Sequence, residues 1–252
     1  MKKLCMVLSL AGGMAATSVF ASVTTTLLDN QSATTGYSYG DGGEFSAVVS
    51  APNNVDWSAY TGQTSGHLTP AQLADANSTA SSHNWIQAPG TLVGQEYFQT
   101  FCIQTAVYFY PGESYTATTA DSITLGTAWL YSKFAAGTLS GNGYNYTNGS
   151  GRMTSAGALQ QAIWFFQSQS GGAANSYVTA AETALGGTSA AFSESSGAYG
   201  VAGFDLTDAY GVAAQEQLFI AVPEATTIIA GALLLLPFGV STLRILRKQR
   251  LA

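Results

Sequence analysis

The central part of this chain is expected to fold as an α+β domain, an antiparallel β-sandwich or barrel with an inserted helical subdomain. Three observations predict this class. Short segments rich in Val, Thr and aromatic residues, separated by Gly and Asn clusters, occur before residue 120. Residues 123–185 instead carry apolar side chains at spacings near three and four, and strand-like segments return after residue 200. Because the helices stand together and do not alternate with strands, a parallel βαβ arrangement is not expected.

The strands of the first half are predicted from composition and turn signals. We expect strands at 23–28 and 45–50, the second of them after the turn-forming cluster 40–43. The strongest strand signal runs from 96 to 110, and a further strand is expected at 114–119. Turns rich in Gly, Pro and Asn separate these segments, as in a sheet of short antiparallel strands.

Cys102 lies inside the 96–110 segment. Side chains alternate between the two faces of a strand, which would place Cys102 with Phe98, Thr100 and Gln104. The opposite face would carry Tyr97, Gln99, Phe101 and Ile103. Cys102 is therefore expected on the more polar face of its strand, which disfavours an inert position in the core.

Three helices are predicted in the middle of the chain. The first, 128–136, is ended by Gly137, and the third, 175–185, stops at a Gly-Gly pair. The second is expected to begin at a cap formed by Thr154 or Ser155. Its apolar stripe consists of Leu159, Ala162, Ile163 and Phe166, with Gln160 and Trp164 one turn apart on the neighbouring face. Strands are expected again at 203–206 and 215–221.

Both ends of the chain carry export signals. Lys2 and Lys3 precede an apolar run that ends in Val19-Phe20-Ala21, and this pattern is typical of a signal peptide that signal peptidase removes after Ala21. At the other end, 226–243 is an uncharged segment of 18 residues. As a helix it would be about 27 Å long, close to the ~30 Å of a bilayer's hydrocarbon core.

Four basic residues and no acid follow this segment, Arg244, Arg247, Lys248 and Arg250. We therefore expect one C-terminal transmembrane helix with its end in the cytoplasm. The expected organisation is a signal peptide at 1–21, an extracytoplasmic domain at 22–221 and a sorting tail at 222–252.

The C-terminal tail resembles the PEP-CTERM sorting signal that exosortase recognises in Gram-negative bacteria. Val222, Pro223 and Glu224 match the start of its Val-Pro-Glu-Pro-like motif, and Ala225 stands where the second proline is usual. The resemblance implies a precursor anchored in the inner membrane, with exosortase delivering the protein to the cell surface or extracellular matrix. The alternative is an ordinary single-pass anchor that is not processed.

The charge of the expected extracytoplasmic domain excludes one class of partner. Residues 22–221 contain 2 of the 8 basic residues and 13 of the 14 acidic residues of the chain, a formal charge of −11. Nucleic acid is not an expected partner, because phosphate binding needs clustered Lys and Arg. A surface made of Ser, Thr, Gly, Asn, Gln and Tyr suits an extracellular protein and could contact carbohydrate through aromatic faces.

The residue inventory does not favour an enzyme. After signal-peptide removal Cys102 is the only cysteine, so no intramolecular disulfide can form. A cysteine hydrolase would need His67 or His83 as a base, and neither histidine has a recognisable local signature or metal-ligand spacing. Asp205 and Asp208 could be imagined as glycosidase acids, but the sequence does not place them across a sugar. We expect no enzymatic activity, no cofactor and no metal site.

Two motifs resemble the thioester domains of Gram-positive surface adhesins. Phe101-Cys102-Ile103 has the aromatic, cysteine, aliphatic pattern, and 159–164 resembles the motif Thr-Gln-x-Ala-Ile-Trp, with Leu159 in place of the threonine. The resemblance covers roughly residues 96–166. It implies an internal thioester between Cys102 and Gln160 that attaches the protein to an amine-bearing surface protein or exopolysaccharide.

Two alternatives stay open at this level. Gln161, next to Gln160, could supply the acyl group instead. The protein could also lack a thioester and act as a passive structural or carbohydrate-contacting component of the surface matrix.

Overall fold

The computed structural model describes residues 23–28, 37–39, 42–50, 55–70, 92–110, 112–119, 122–195 and 197–222. These residues belong to one compact unit, Val19–Pro223. The predicted signal peptide, the predicted sorting residues Pro223 and Glu224, and the predicted membrane segment 226–243 lie outside the described residues. None of the helices that are described is long and apolar enough to cross a membrane.

One antiparallel sheet forms the frame of the domain. Its strands are β1 (Val23–Leu28), β2 (Tyr37–Tyr39), β3 (Gly42–Val49), β4 (Ser65–His67), β5 (Glu96–Thr100), β6 (Ser114–Thr119), β7 (Val201–Thr207) and β8 (Ala213–Ile220). The strand order is β4-β5-β3-β1-β6-β7-β8, and β2 pairs with β3 outside this path. Every pair is antiparallel, and several neighbours in the sheet, such as β1 and β6, are not consecutive in the chain.

A block of helices lies in the chain between β6 and β7. It comprises α1 (Leu125–Ala135), α2 (Ser150–Phe166), α3 (Ser176–Leu185) and the single turn α4 (Thr188–Ala191). The predicted α+β class, with helices inserted between strands, is therefore confirmed. The helix α2 packs against β2 and β3, and this contact positions the site described below.

Local signals set the end of α1 and the start of α3 as the sequence predicts, whereas α1 begins three residues before its predicted start at 128. The Thr124 side chain accepts the N–H of Thr127 at the start of α1, and Gly137 follows its end with a left-handed φ of 68°. At the start of α3 the Asn175 side chain accepts the backbone N–H groups of Tyr177 and Val178. Both caps satisfy N–H groups that have no partner inside the helix.

The predicted start of α2 is wrong. The helix begins at Ser150, four to five residues before the expected cap. Inside the helix the hydroxyls of Thr154 and Ser155 donate to the carbonyls of Ser150 and Gly151, each at 3.0 Å. Hydroxyl groups of Ser and Thr can bond to the preceding turn as well as cap a helix, and here they do the former.

The predicted strand at 96–110 is also too long, because β5 ends at Thr100. Residues 101–103 leave β3 and bond to β8, where the N–H of Leu218 donates to Phe101 at 3.0 Å and the N–H of Ile103 donates to Glu216 at 2.9 Å. Cys102 forms an isolated bridge with Gln217 between these two bonds. The segment that follows β5 therefore pairs with β8, the last strand in the sheet order.

Candidate functional site

The side chain of Gln160 fills the gap that opens where β5 ends. Beside Thr100, β5 still pairs with β3 at Phe45. One step further along, the backbone N–H groups of Gly43 and Cys102 both donate to the Gln160 Oε1 atom at 3.2 Å. The Gln160 Nε2 atom donates to the Cys102 carbonyl at 2.7 Å. A side-chain amide from α2 thus takes the place of a backbone partner between the two segments.

These contacts fix which way the Gln160 amide points. Two backbone N–H groups can only donate and a backbone carbonyl can only accept, so the opposite orientation would set donors against donors. The carbonyl oxygen of the amide therefore faces a pair of N–H donors. The amide nitrogen faces the Cys102 carbonyl on the other side.

Cys102 lies against this polarised carbonyl. Its Sγ atom is 3.2 Å from the Gln160 Oε1 atom, and the two residues are 0% and 1% exposed. The thiol has no contact with solvent. The polar group beside it is the buried side-chain amide of Gln160. Complete burial raises the pKa of the Cys102 thiol, and the backbone N–H of Cys102 and the indole of Trp164 oppose that shift in part.

Trp164 and Gly42 enclose the pair. Trp164 follows Gln160 by one turn of α2, so both side chains lie on the same face of the helix. A Cβ atom at Gly42 would lie 2.6 Å from Gln160 Cγ and 2.5 Å from Trp164 Cη2. Only a residue without a side chain lets β3 approach these two groups so closely.

A buried ion pair holds α2 against β3 next to the site. The carboxylate of Glu44, the residue after Gly43, accepts from Arg152 Nε at 3.0 Å and from Arg152 Nη2, and both residues are almost completely buried. The Tyr144 hydroxyl donates to the same carboxylate at 2.8 Å. Burial raises the pKa of Glu44, while the hydrogen bond and charge of Arg152 and the hydrogen bond of Tyr144 act in the opposite direction.

The structure brings Cys102 and Gln160 together and leaves Gln161 aside. Adjacent residues on a helix point about 100° apart, so Gln161 faces away when Gln160 faces Cys102. Among the described residues, no hydrogen bond joins Gln161 to Cys102. The backbone carbonyl of Gln161 accepts the N–H of Ala173 at 3.1 Å.

The histidines considered as bases do not join this site. His67 lies on β4, exposed and 3.8 Å from Glu96, which is at the opposite end of β5 from Cys102. His83 lies outside the described residues. In the part of the chain that is described, no group of three His, Cys, Asp or Glu side chains is arranged to hold a metal ion.

The two aspartates considered as glycosidase acids have separate surroundings. Asp205 lies in β7 opposite Thr118 of β6. Asp208 accepts the backbone N–H groups of Tyr210 and Val212, both at 2.8 Å, and so closes the turn between β7 and β8. Val222, the first residue of the predicted sorting motif, is exposed two residues after the end of β8.

The sequence reasoning missed the contributions of β3 to this site. The sequence pattern predicts a turn at Gly42 and Gly43 and indicates no role for Glu44 or Arg152. One signal was present, because Arg152 is one of only two basic residues within 22–221. A solitary arginine near a helix start, in a region so poor in cations, indicates a specific buried partner.

The chain matches no family model, no curated protein and no solved structure.

Proposed function

We propose that this protein is an exported surface protein whose domain forms an internal thioester between Cys102 and Gln160 and attaches through it to primary amines. The observation that carries the proposal is the contact of the Cys102 sulfur with the Gln160 carbonyl group, at a place where both residues are almost completely buried. A buried cysteine with an apolar neighbour would suit a core filler. This cysteine instead faces an amide whose oxygen is held by two N–H groups.

Bond formation would follow from this arrangement. The sulfur attacks the Gln160 side-chain carbonyl carbon, the C–S bond forms, the C–N bond breaks, and the amide nitrogen leaves as ammonia with the thiol proton. Negative charge develops on Oε1, where the N–H groups of Gly43 and Cys102 already point. One such donor typically contributes about 100- to 1,000-fold in rate, and fixing the two reactants in place contributes more.

In the reaction with a partner, sulfur is the leaving group and an amine nitrogen is the nucleophile. A primary amine attacks the thioester carbonyl carbon, the C–N bond forms, and the C–S bond breaks with its electron pair going to sulfur. The proton lost by the amine restores the Cys102 thiol by way of solvent. The partner is then joined to Gln160 through an amide bond, which is stable in water.

The first test is the intact mass of the exported protein. Formation of the thioester releases ammonia, so the mass is expected to lie about 17 Da below that of the unmodified chain. The loss should vanish in Cys102→Ala and Gln160→Ala and persist in Gln161→Ala. Methylamine should add to the wild-type protein and release one thiol.

Gln161→Ala is the matched control, since it removes the same side chain one residue along the same helix. A wild-type mass equal to the unmodified sequence, with a thiol that titrates freely after denaturation, would contradict the proposal. A mass loss that disappears in Gln161→Ala and survives in Gln160→Ala would show that Gln161, and not Gln160, forms the bond.

The second candidate function is a passive matrix component that contacts carbohydrate. It is favoured by exposed aromatic rings, notably Tyr108 at 63% and Tyr210 at 87% exposure. Tyrosine faces on a surface with little charge suit contact with sugar rings. This function needs neither Cys102 nor Gln160.

Cell fractionation tests the proposed location and separates the two functions. We expect the wild-type protein at the surface or in the matrix, and the precursor retained in the inner membrane of a strain without exosortase. The variant Cys102→Ala should be exported and processed normally but washed from the surface under denaturing conditions. Equal mature size and location in both strains would leave a plain membrane anchor, and retention unchanged in Cys102→Ala would leave the passive function.

A further inference from the structure

The indole N–H of Trp164 is a buried donor without a partner. The Nε1 atom has no contact with solvent and no hydrogen-bond acceptor among the described residues. A buried unsatisfied N–H group is costly, and such groups in a folded protein call for a reason. This one belongs to the residue that covers the Cys102–Gln160 pair.

The position of the ring turns its N–H edge toward the side chain of Gln160. The Cζ2 and Cη2 atoms of Trp164 and the Cγ atom of Gln160 all lie within 2.8 Å of the position that a Cβ atom at Gly42 would occupy. Cζ2 is separated from Nε1 by a single ring atom, so the N–H edge of the indole lies on the side of the pair. The opposite edge of the ring, Cε3 and Cζ3, faces Gly171.

On this basis we propose that the Trp164 indole N–H donates a hydrogen bond to the Cys102 sulfur when the sulfur carries negative charge. The inference rests on the proposed thioester and specifies how that bond is opened. A thiol or thioester sulfur is a weak hydrogen-bond acceptor, whereas a thiolate is a strong one. The N–H is therefore unsatisfied in the resting site and satisfied as the C–S bond breaks.

Such an interaction accelerates a reaction because it is stronger in the transition state than in the ground state. The N–H donates a hydrogen bond and keeps its proton. The thiolate leaves, is stabilised by the indole, and takes its proton from solvent. The indole of Trp164 lowers the pKa of Cys102 against the larger effect of burial, which is the direction expected of a donor that favours the charged sulfur.

The test replaces Trp164 in the exported protein with 3-benzothienylalanine, which has the shape of tryptophan and no N–H. Methylamine incorporation and spontaneous hydrolysis of the thioester should both slow by about 10- to 100-fold, the usual size of a hydrogen bond to a charged group. After aminolysis, the midpoint for iodoacetamide alkylation of the released Cys102 thiol should move to higher pH. The same replacement at Trp129 is the matched control and should leave all three readouts unchanged.

A ring that merely shields the bond from water predicts a different result. With the shape kept, the three readouts would stay at the wild-type values, and this outcome would overturn the inference while leaving the thioester itself in place. Absence of the mass loss of about 17 Da in the wild-type protein would overturn the proposed function, and the inference would fall with it. Intact mass, recorded first, tells the two failures apart.

Discussion

Replacing Gly42 with alanine is expected to suppress thioester formation by at least about 100-fold, because a displacement of about 1 Å from a near-attack geometry has an effect of that order. The new methyl group would lie 2.5 Å from Trp164 Cη2 and 2.6 Å from Gln160 Cγ, well inside van der Waals contact. The Gln160 side chain must then move, and its amide carbonyl leaves the N–H groups of Gly43 and Cys102. The intact mass of the exported variant should return to that of the unmodified chain.

Gly62→Ala is the control for this experiment, since a methyl group there would meet no atom within 4 Å. Thermal unfolding should accompany the mass measurement, because overpacking of a close contact typically destabilises a protein by about 1–3 kcal/mol. A Gly42→Ala protein that is folded and carries the full mass loss would refute the close approach of β3 as a condition of bond formation.

Replacing Arg152 with methionine is expected to lower the free energy of unfolding by about 3–5 kcal/mol, the usual cost of leaving a buried carboxylate without its partner. Glu44 would keep only the hydroxyl of Tyr144, and the carbonyls of Gln63 and Tyr146 would lose the guanidinium that now donates to them. Chemical denaturation of the exported protein measures the change.

Lys133→Met is the matched control, as it removes the other basic residue of 22–221. Its ammonium group lies 5.9 Å from the centre of the Trp129 ring in a partly exposed position, so its removal should cost less than about 1 kcal/mol. Adding Glu44→Gln to Arg152→Met should cost much less than Glu44→Gln alone, which is the mark of a coupled pair. Equal losses for Arg152→Met and Lys133→Met would contradict a stabilising role of the buried ion pair.

The sequence predicts well those elements whose signals are local. The strands β1 and β6 have the predicted bounds, because β-forming residues lie there between turn formers. Gly137 and Asn175 mark helix ends because each acts on its own turn of backbone. These features depend on neighbours within four residues, so a single sequence contains them.

The sequence fails where distant parts of the chain compete for the same partner. The β-forming residues after Thr100 continue the strand pattern, yet an amide 58 residues further along the chain takes their place beside β3. Local propensity describes how well a segment forms a strand and does not identify its partner. The end of β5 is therefore a tertiary property.

In the candidate site, too, some features follow from local sequence and others depend on distant contacts. The resemblance to known motifs predicts Cys102 and Gln160, and it leaves the choice between Gln160 and Gln161 open because both are polar residues in one helix. The face of α2 that packs on β3 separates them. Gly43 contributes its N–H from 117 residues away, and no spacing rule relates positions so far apart.

The bonding of residues 101–103 to β8 also determines how the domain would bear a mechanical load. With a partner joined at Gln160 and an anchor beyond Val222, tension would enter β8 at its end and pull along the strand. The hydrogen bonds of β8 to β7 and to residues 101–103 run across the strand, so this pull would load many of them together in shear. The strand that would lead to the anchor also bridges to Cys102. The load from the partner would enter at Gln160 on α2 and reach the sheet through the packing of this helix on β2 and β3.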